Sequence, residues 1–478
     1  MENEEASPVR IAKIETHSID YIPEHERHGK AWHQAPFWFA GNFIFPTILT
    51  GFIGISLGLS LVWSLVAIVV GLIVGTTFVA LHANQGPRLG LPQMIQSRAQ
   101  FGSKGAVIPL LVAVCIYIGF CVFNIIAAAG ALDLLSSPAS WVWIFICFVL
   151  AFVAAAAGHD ILHIIQRWVT YILIVIMIPV TVYALVHYHV PPHATTAFIG
   201  SAFMAQVLAA ASFQLSYAVF VSDYTRYLPI DVSAPKLIAW TYGGMAVSSA
   251  WLMGLAAFFG ATLPAHDITN AVSAVQQVGN SLFSGFGTFV VVISVPALIS
   301  ITAVELYGTM LSGTAGIDAF KKVVATKRLR IIGILIATVV SFVLTVALPS
   351  NYLGSFGGFL TLLIDFLGPW TAINLTDFYL IRHGKYNSAD IVKGNGRYGG
   401  WYLPGVVAYV VAIAVEVPFW SLPFFEGSVA KTLSGVDISF IVGLVVGGAL
   451  YFVLERVMAS KQLSRIVAND GSVTDLSA

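Results

Sequence analysis

The chain has 478 residues, of which 58% are hydrophobic and only 10% are charged. A soluble domain usually carries about a quarter charged residues, so this composition excludes an ordinary soluble protein. The formal net charge is zero, which gives no indication of a nucleic-acid partner. Apolar runs long enough for the ~30 Å hydrocarbon core of a bilayer recur along the whole length. The sequence predicts an all-α polytopic membrane protein, because a membrane barrel would show short alternating segments instead.

Twelve transmembrane helices are predicted from these runs. They are placed at 35–60, 62–82, 105–135, 140–157, 161–187, 200–221, 238–260, 285–312, 331–348, 354–381, 401–420 and 437–457. Of the 23 Lys and Arg residues, only Lys431 then lies on the side opposite the N-terminus. A miscounted helix would exchange the sides of every later loop, so the positive-inside rule supports this number. We expect a multi-pass protein of the cell (plasma or inner) membrane, with cytoplasmic tails at 1–34 and 458–478.

The first span contains residues that interrupt a helix. Its sequence, APFWFAGNFIFPTILTGFIG, includes Gly41, Asn42, Pro46, Gly51 and Gly54. Proline has no backbone N–H and leaves a carbonyl free, and in hydrocarbon that carbonyl must find an internal partner or a ligand. Broken helices present such carbonyls to a cation in many secondary transporters. A proline kink packed against a neighbouring helix is the alternative interpretation.

Polar side chains inside the spans are candidates for a binding site. Gln214 and Tyr217 interrupt the sixth span, and Glu305 lies in the middle of the eighth. A carboxylate at that depth costs about 2.5–3.5 kcal/mol on insertion scales, so it must be protonated, paired or bound to a ligand. The alternative for Glu305 is a structural carboxyl paired with a neighbouring Tyr or Ser. Glu416 lies four residues before Trp420, and we expect it to snorkel to the outer interface.

Three motifs near the cytoplasmic ends of helices point to one known family. They are Gly90-Leu-Pro-Gln-Met with Ser97-Arg98 and Phe101-Gly102, Ser222-Asp223-Tyr224 with Arg226 and Leu228-Pro229, and Gly368-Pro369 followed by Asp377-Phe-Tyr-Leu-Ile-Arg-His-Gly-Lys-Tyr386. Together they resemble the purine–cytosine permease branch of the nucleobase:cation symporter family, over all twelve helices. The resemblance implies a leucine-transporter-like inverted repeat of five plus five helices, about 35–187 and 200–381, with two peripheral helices in 401–457. Helices one and six would be broken around a central site.

The resemblance also implies a substrate site. Phe120 and Asn124 match an aromatic platform and a carboxamide on helix three, although the family usually has Trp at the first position. An aromatic face stacks on a flat ring with about 1–3 kcal/mol per base, and a carboxamide offers a donor and an acceptor in one plane. For Asn124 an interhelical hydrogen bond is the alternative. The predicted substrate-binding residues are Phe120, Asn124, Phe213, Gln214, Tyr217 and Glu305.

A coupling cation is expected between helices one and eight. The residues predicted for it are Ala40, Phe43, Ala297, Ser300, Thr302 and Glu305. A proton on Glu305 and a sodium ion held by the hydroxyls of Ser300 and Thr302 both remain open. Asp223 and Asp365 are predicted to take part in gating. The alternatives are a structural pair with Arg226 for Asp223 and a plain interhelical hydrogen bond for Asp365.

These observations predict a secondary active importer that works by alternating access. The expected substrate is a nucleobase of cytosine or purine type, driven by proton or sodium entry. A symporter of the same fold for allantoin, hydantoin, pyridoxine or thiamine is the alternative, and an ion channel of similar helix count is a second. We expect no enzymatic activity, no cofactor, no metal site and a monomer in the bilayer. The three cysteines, Cys115, Cys121 and Cys147, all lie in apolar spans and are expected to serve packing.

Overall fold

The computed structural model describes residues 21–136, 139–157, 159–191, 196–264, 271–323, 326–348, 351–393 and 396–470. Within these ranges, side chains are described except at 140, 157, 159–167 and 459–470. In this part of the chain nine helices are long and apolar enough to cross a membrane, and two shorter apolar helices are Trp141–Ala156 and Leu403–Phe419. A first helix divided into three pieces completes the twelve predicted spans.

The described residues are almost entirely helical. In chain order the helices are α1 (Gln34–Asn42), α2 (Phe45–Gly51), α3 (Ile53–Ser56), α4 (Leu61–Ala83), α5 (Gln85–Leu89), α6 (Gln93–Gln96), α7 (Arg98–Gly105), α8 (Val107–Asp133), α9 (Ser140–Ala157), α10 (His159–His187), α11 (Gly200–Leu215), α12 (Val221–Thr225), α13 (Ala234–Thr262), α14 (Ala271–Leu282), α15 (Phe286–Ile293), α16 (Val295–Asp318), α17 (Lys327–Ala347), α18 (Tyr352–Leu375), α19 (Ser388–Val392), α20 (Leu403–Glu416), α21 (Ser428–Thr432) and α22 (Ser439–Asp470). A π-helix (Thr376–Ile381) extends α18, and short 3-10 helices lie at Glu24–Glu26, Ala31–His33, Ser216–Val219 and Val417–Phe419. The last helix continues to Asp470, past its predicted end at 457.

The first transmembrane helix is broken at Phe43 and Ile44. Phe43 has φ −86° and ψ 63°, and Ile44 is extended, with φ −137° and ψ 162°. Pro46 lies in the first turn of α2, where a missing N–H removes no helical hydrogen bond. The proline therefore begins the second half of the helix instead of kinking a continuous one. The backbone N–H of Gly54 near the far end is bound by Gln206 Oε1 at 2.7 Å.

The sixth transmembrane helix is broken as well. The α-helix α11 ends at Leu215 and continues as the 3-10 helix Ser216–Val219. Phe220 then leaves helical geometry, with φ −140° and ψ 5°, before α12 begins. The hydroxyls of Ser222 and Thr225 donate to the carbonyls of His82 and Ala83 at the end of α4, which fixes the short inner half. Helices one and six are therefore both interrupted, as predicted.

Small residues bring these broken helices close to their neighbours. A Cβ placed on Gly75 of α4 would lie 2.3 Å from the carbonyl oxygen of Ala211 on α11. A Cβ on Gly244 of α13 would lie 2.3 Å from the carbonyl oxygen of Ala35 on α1. Real Cβ atoms do not approach backbone oxygen so closely, so the two contacts require glycine. Such small-residue contacts are common where membrane helices pack backbone to backbone.

Two elements between the spans were not predicted. The helix α14 lies between the seventh and eighth spans and buries Val272, Val275 and Val278. Gly279 allows it to approach α15, because a Cβ there would lie 2.5 Å from Gly287 Cα. A two-residue antiparallel hairpin pairs β1 (Ser421–Leu422) with β2 (Phe425–Glu426) before α21. Hydropathy missed α14 because the helix is amphipathic and too short to span a bilayer.

The segment just before helix one packs against the bundle. The Ile22 side chain is fully buried, and its N–H donates to the Gly90 carbonyl at 2.9 Å. Arg27 donates to the carbonyls of Ile22 and Pro87 at 3.0 and 2.7 Å. The N–H of His28 binds the Tyr227 carbonyl at 2.6 Å. Residues 22–28 therefore connect α5 and its C-terminal end to the loop after α12.

Asp377 in the π-helix is the centre of a buried polar network. Its carboxylate accepts hydrogen bonds from Gln100 Nε2 at 2.7 Å, Arg382 Nε at 2.8 Å, Tyr386 at 2.8 Å and Tyr451 at 2.9 Å. Arg382 also reaches Glu455 on α22 at 3.1 Å. Burial alone would lower the pKa of Arg382, but the neighbouring carboxylates, Asp377 first, raise it above its usual value. The network joins α7, α18 and α22 at one end of the bundle.

The expectation for Glu416 is wrong. Its side chain does not reach water, because the residue is 0% exposed. The α20 helix packs against α22, and the carboxylate points at Gly443 of that helix, where a Cβ would lie 1.4 Å from Glu416 Oε1. Sequence alone could not show this, since the distance of Glu416 from Trp420 is compatible with either direction.

Candidate functional site

A carboxylate and a carboxamide meet between α8 and α16. Asn124 Nδ2 lies 3.1 Å from both carboxylate oxygens of Glu305 and donates to them. Asn124 is fully buried and Glu305 is 9% exposed. The Asn124 Oδ1 atom is buried and accepts no hydrogen bond from the described residues. The two predicted site residues are therefore paired, and the pair retains an unused acceptor.

Aromatic rings from α8, α11 and α18 form a cluster at Phe120, one helical turn before Asn124 on α8. The Phe120 ring packs edge-on against Phe213 with centroids 5.8 Å apart and against Phe359 at 5.4 Å. Phe213 in turn contacts the Tyr217 ring at 5.8 Å. The Glu305 carboxylate is close enough to Tyr217 to interact with it electrostatically. The structure thus brings together five of the six predicted substrate residues: Phe120, Asn124, Phe213, Tyr217 and Glu305.

Gln214 points away from this group. Its Nε2 donates to Ser249 on α13 at 2.6 Å, and Ser249 donates to Asn42 Oδ1 at 2.9 Å. Asn42 Nδ2 continues the chain to the Trp38 carbonyl at 3.0 Å. This chain of hydrogen bonds runs behind the break in helix one. Gln214 therefore supports the broken helix in this structure, and its neighbour Phe213 faces Phe120.

The hydroxyl of Tyr217 is fixed by the break in helix one. It donates to the Gly41 carbonyl at 3.0 Å, two residues before Phe43. Tyr217 is 7% exposed, so one edge of its ring remains open. The two broken helices are thus joined directly by a side chain predicted for the substrate site.

A cavity of about 550 Å³ adjoins this group of predicted substrate residues at Tyr217, and Glu305 and Asn124 are not among its lining residues. Its wall includes Tyr217 and Phe220 from the break in helix six, Ala40 and Gly41 from helix one, and Val304 next to Glu305. The mouth is lined by Trp32 and His33, which places it at the end of the bundle where helix one begins. Small-molecule sites commonly have about 300–1,000 Å³, so this cavity is large enough for a single heteroaromatic ring.

Several residues of this cavity were not predicted from the sequence. Trp38 and Phe220 lie with ring centroids 6.2 Å apart, and Phe220 stacks on Tyr117 of α8 at 5.8 Å. Tyr224 also lines the cavity. Aromatic residues recur at 217, 220 and 224, but three- and four-residue steps share one face only on a continuous α-helix, and the helix is broken at Phe220.

The predicted cation residues fall into three groups. Phe43 and Ala297 line the same small cavity, of about 30 Å³, at the break in helix one. Ala40 lines the larger cavity, and its carbonyl already accepts the Phe43 N–H at 3.1 Å. Thr302 lies on the α8 side of α16, where its carbonyl is the acceptor for Cys121 Sγ at 3.8 Å. Thr302 Oγ1 itself donates to the Leu298 carbonyl at 2.8 Å.

On the face of α16 toward helix one, the larger cavity is lined by apolar side chains. Ile301 and Val304 stand there, one turn and two turns after Ala297. Ser300 is buried at 2% exposure on the same helix. Among the described residues no group of three or more His, Cys, Asp or Glu side chains is arranged to hold a metal ion.

The two predicted gating residues have structural partners. Asp223 Oδ1 accepts the backbone N–H of Gln93 at 2.7 Å and so binds the loop helix α6 to α12. Asp365 Oδ1 accepts the hydroxyl of Ser439 on α22 at 2.6 Å. The two carboxylates therefore connect helices six and ten to neighbouring elements, and neither lies in the wall of the larger cavity.

The comparisons with known proteins agree on one family. Residues 21–443 match the family described as permease for cytosine/purines, uracil, thiamine, allantoin. The Bacillus subtilis (strain 168) protein named "Putative purine-cytosine permease YxlA" is 38% identical over 459 residues, covering 94% of this chain and 98% of that one. The purine-cytosine permease fcyB of Emericella nidulans is 23% identical over 464 residues, covering 92% of this chain and 88% of that one.

The fold is also that of a solved transporter. The inward-facing conformation of Mhp1 superposes with a TM-score of 0.71 at 16% identity, over 95% of this chain and 96% of that one. This likeness confirms the predicted leucine-transporter-like architecture of a polytopic membrane protein. The chain belongs to the family of permeases for cytosine/purines, uracil, thiamine and allantoin, within the nucleobase:cation symporter family, and is a transporter.

Proposed function

We propose that the chain imports an amino-substituted nucleobase, such as cytosine or adenine, together with a proton. The observation that carries this proposal is the buried Asn124–Glu305 pair, one helical turn from the aromatic cluster at Phe120, whose member Tyr217 lines the larger cavity. The family and the named relatives support a nucleobase-type substrate. In this proposal the substrate ring lies against Phe120 and Tyr217, with its polar edge toward Glu305.

The chemistry of a protonated Glu305 fits an amidine edge. A neutral carboxyl group has one O–H donor and one carbonyl acceptor side by side. Cytosine and adenine present an amino donor next to a ring-nitrogen acceptor, so both hydrogen bonds can form at once. The free Asn124 Oδ1 offers a further acceptor for a ring N–H or the second amino hydrogen. Uracil has no amino group, so it lacks this complementarity.

Binding of the proton and of the substrate would then be coupled. An ionised Glu305 would present only acceptors and could not bind the ring nitrogen. The proton therefore increases substrate affinity, and by linkage the substrate increases proton affinity by the same factor. One proton moving down ~100 mV supplies ~2.3 kcal/mol, which supports a concentration ratio of about forty-fold.

We prefer the proton to sodium for a specific reason. Thr302, one of the two hydroxyls predicted for sodium, donates to its own helix and lies toward α8. The face of α16 that approaches helix one carries Ile301 and Val304 in the cavity wall, and neither side chain has an oxygen for a cation. In the proposed orientation both termini lie in the cytoplasm, and the larger cavity opens to that side.

Transport into proteoliposomes tests the proposal. Purified protein would be reconstituted with an imposed inward pH gradient, and uptake of radiolabelled cytosine would be measured with and without sodium. We expect accumulation that requires the pH gradient and does not require sodium. Adenine should compete strongly and uracil weakly, while allantoin and hydantoin should compete least, because they lack an aromatic amidine edge.

Two variants with the same chemical change separate the site from the scaffold. Glu305→Gln should abolish pH-driven accumulation, whereas Glu416→Gln, at another buried glutamate, should retain it. Failure of every nucleobase to compete would overturn the substrate assignment. Sodium-dependent uptake that survives Glu305→Gln would overturn the proton assignment.

A further inference from the structure

Three carboxyl groups lie buried where the two peripheral helices meet α18. Asp365 is on α18, Glu416 ends α20, and Asp437 precedes α22, with exposures of 0%, 0% and 4%. In the described part of the chain, no Lys, Arg or His forms an ion pair with any of them. Three ionised carboxylates in one buried place would repel each other and be poorly solvated. Some of these groups must therefore carry protons.

The hydroxyl of Ser439 identifies one protonated group. Ser439 Oγ lies 2.6 Å from Asp365 Oδ1 and 2.5 Å from Asp437 Oδ1. A hydroxyl has one hydrogen, so it can donate to only one of these two oxygens. In the second short contact the hydrogen must belong to the aspartate, so one of the two carboxyl groups is protonated and donates to Ser439 Oγ.

Asp437 is the ionised partner of the two. Its carboxylate also accepts the backbone N–H groups of Ser421 at 2.7 Å and Ser439 at 2.9 Å, and backbone donors favour the charged form. Asp365 has only the Ser439 contact, and its Oδ2 is buried without a donor. The satisfied arrangement is therefore Asp365 O–H donating to Ser439 and Ser439 O–H donating to Asp437.

Glu416 provides an independent observation at the same place. Both of its carboxylate oxygens are buried, and no described residue donates a hydrogen bond to either. It is wedged between α18 and α22, because a Cβ on Gly443 would lie 1.4 Å from Glu416 Oε1 and 3.1 Å from Pro369 Cγ. Pro369 follows Asp365 by one turn of α18, and Gly443 follows Ser439 by one turn of α22. Glu416 therefore lies one helical turn along these helices from the contact between Ser439 and Asp365.

An ionised Glu416 is disfavoured on two grounds. Burial of an ionised carboxylate without hydrogen-bond donors costs several kcal/mol. Glu416 also ends α20, where the helix dipole is negative. A protonated Glu416 avoids both costs, and Pro369 has no N–H to bind the carbonyl of Asp365, which leaves an acceptor on the facing turn.

We propose that the interface of α18, α20 and α22 is a proton-binding site separate from Glu305, in which Asp365 and Glu416 each hold a proton and Asp437 stays ionised. Tyr409 of α20 also faces this site, where its hydroxyl donates to the Phe366 carbonyl at 3.1 Å. The protons hold the peripheral helices against α18. On the other side of α18, the Leu360 carbonyl accepts a hydrogen bond from the Ser212 hydroxyl of α11 at 2.5 Å. Only α18 therefore separates the proton-binding site from helix six.

Asparagine substitution at the two aspartates tests which one holds the proton. In the Asp365→Asn variant the amide can donate to Ser439 as a protonated Asp does. The melting temperature of this purified variant at neutral pH should therefore equal that of the unsubstituted protein. Asp437→Asn should lower it, because an amide replaces an acceptor that two N–H groups and Ser439 require. An equal loss in the two variants, or a larger loss for Asp365→Asn, would overturn the assignment.

The pH dependence of stability gives a second test. Above about pH 5 the unfolded chain has released carboxyl protons that the folded protein still binds, so the folded state loses stability as the pH rises. The melting temperature of the Asp365→Asn/Glu416→Gln variant should fall less between neutral and alkaline pH than that of the unsubstituted protein. Parallel curves for the two proteins would overturn the proposal.

Infrared spectroscopy tests the protons without depending on these variants. In a Glu305→Gln background at neutral pH, we expect the C=O band of a protonated carboxylic acid that shifts in D2O. Asp390→Asn, at a carboxylate paired with the 63% exposed Arg397, should leave this band unchanged. Absence of the band would show that neither Asp365 nor Glu416 is protonated, and the proposal would be wrong.

Discussion

Asn124 Nδ2 lies at the same distance, 3.1 Å, from the two carboxylate oxygens of Glu305. The amide therefore faces the carboxyl group symmetrically across the gap between α8 and α16. Its own oxygen is left without a donor from the described residues. A pair that used all of its hydrogen-bonding capacity would be a structural link, whereas this one retains acceptors beside a cavity.

The first prediction concerns this amide. Asn124→Leu removes the donor to Glu305 and the free acceptor, and we expect cytosine affinity to fall by roughly 10- to 150-fold. This range corresponds to about 1.5–3 kcal/mol, the upper part of the cost of leaving a buried polar group without its partner. Equilibrium binding of radiolabelled cytosine measures it. Asn84→Leu makes the same change at a buried Asn that contacts Tyr379, and affinity should be retained there. A similar loss in both variants would contradict the assignment.

The second prediction concerns the link between the broken helices. Tyr217→Phe keeps the aromatic ring but removes the hydroxyl that donates to the Gly41 carbonyl. We expect the free energy of unfolding to decrease by about 0.5–1.5 kcal/mol, the usual contribution of one hydrogen bond. Thermal unfolding in detergent measures the change. Tyr171 lines the same cavity and is 45% exposed, so Tyr171→Phe should have a smaller effect. Equal effects would show that the Gly41 contact contributes nothing.

The third prediction concerns the network around Asp377. Asp377→Asn leaves Arg382 partly buried without its nearest carboxylate, and breaking a buried pair typically costs about 3–5 kcal/mol. The melting temperature should drop strongly. Asp390→Asn breaks the pair with Arg397, which is 63% exposed, and surface pairs contribute about 1 kcal/mol or less. If both variants melt alike, the network has no special role in holding α7, α18 and α22 together.

The fourth prediction uses two adjacent glycines of α13. A Cβ at Gly244 would lie 2.3 Å from the Ala35 carbonyl oxygen, whereas a Cβ at Gly243 meets nothing within 4 Å. Gly244→Ala should therefore destabilise the protein by about 1–3 kcal/mol by pushing α1 away. Gly243→Ala should be neutral or stabilise it by up to about 1 kcal/mol, because alanine favours a helix. Unfolding curves of the two variants decide this, and the reverse order would exclude the close α1–α13 contact.

Local patterns were sufficient for much of the architecture. The apolar runs predicted twelve spans. Each crossing needs about twenty apolar residues, and this property can be read from each segment separately. The interruption of helix one followed from Gly41 and Pro46, since backbone freedom and a missing N–H act locally. The prediction of a role for Glu305 followed from its depth in an apolar run, because a charge there is costly in any fold.

Side-chain direction was not a local property. Gln214 and Phe213 are neighbours in the chain, yet Phe213 contacts Phe120 while Gln214 binds Ser249 on another helix. The change to a 3-10 helix at Ser216 alters the angle between successive side chains after that point, and it brings Tyr217 to helix one and Phe220 to Tyr117. The spacing rules of a regular α-helix therefore do not predict the directions of the side chains after Ser216.

By itself, the sequence determined that this is a twelve-span membrane transporter with broken helices one and six, and it predicted a functional role for the carboxyl group on helix eight. Only the tertiary structure decided the partner of each polar group. Glu305 accepts hydrogen bonds from Asn124, and Glu416 packs between α18 and α22 and does not contact water. The physical reason is that burial of a polar side chain depends on which helices pack around it, and that packing involves residues hundreds of positions apart.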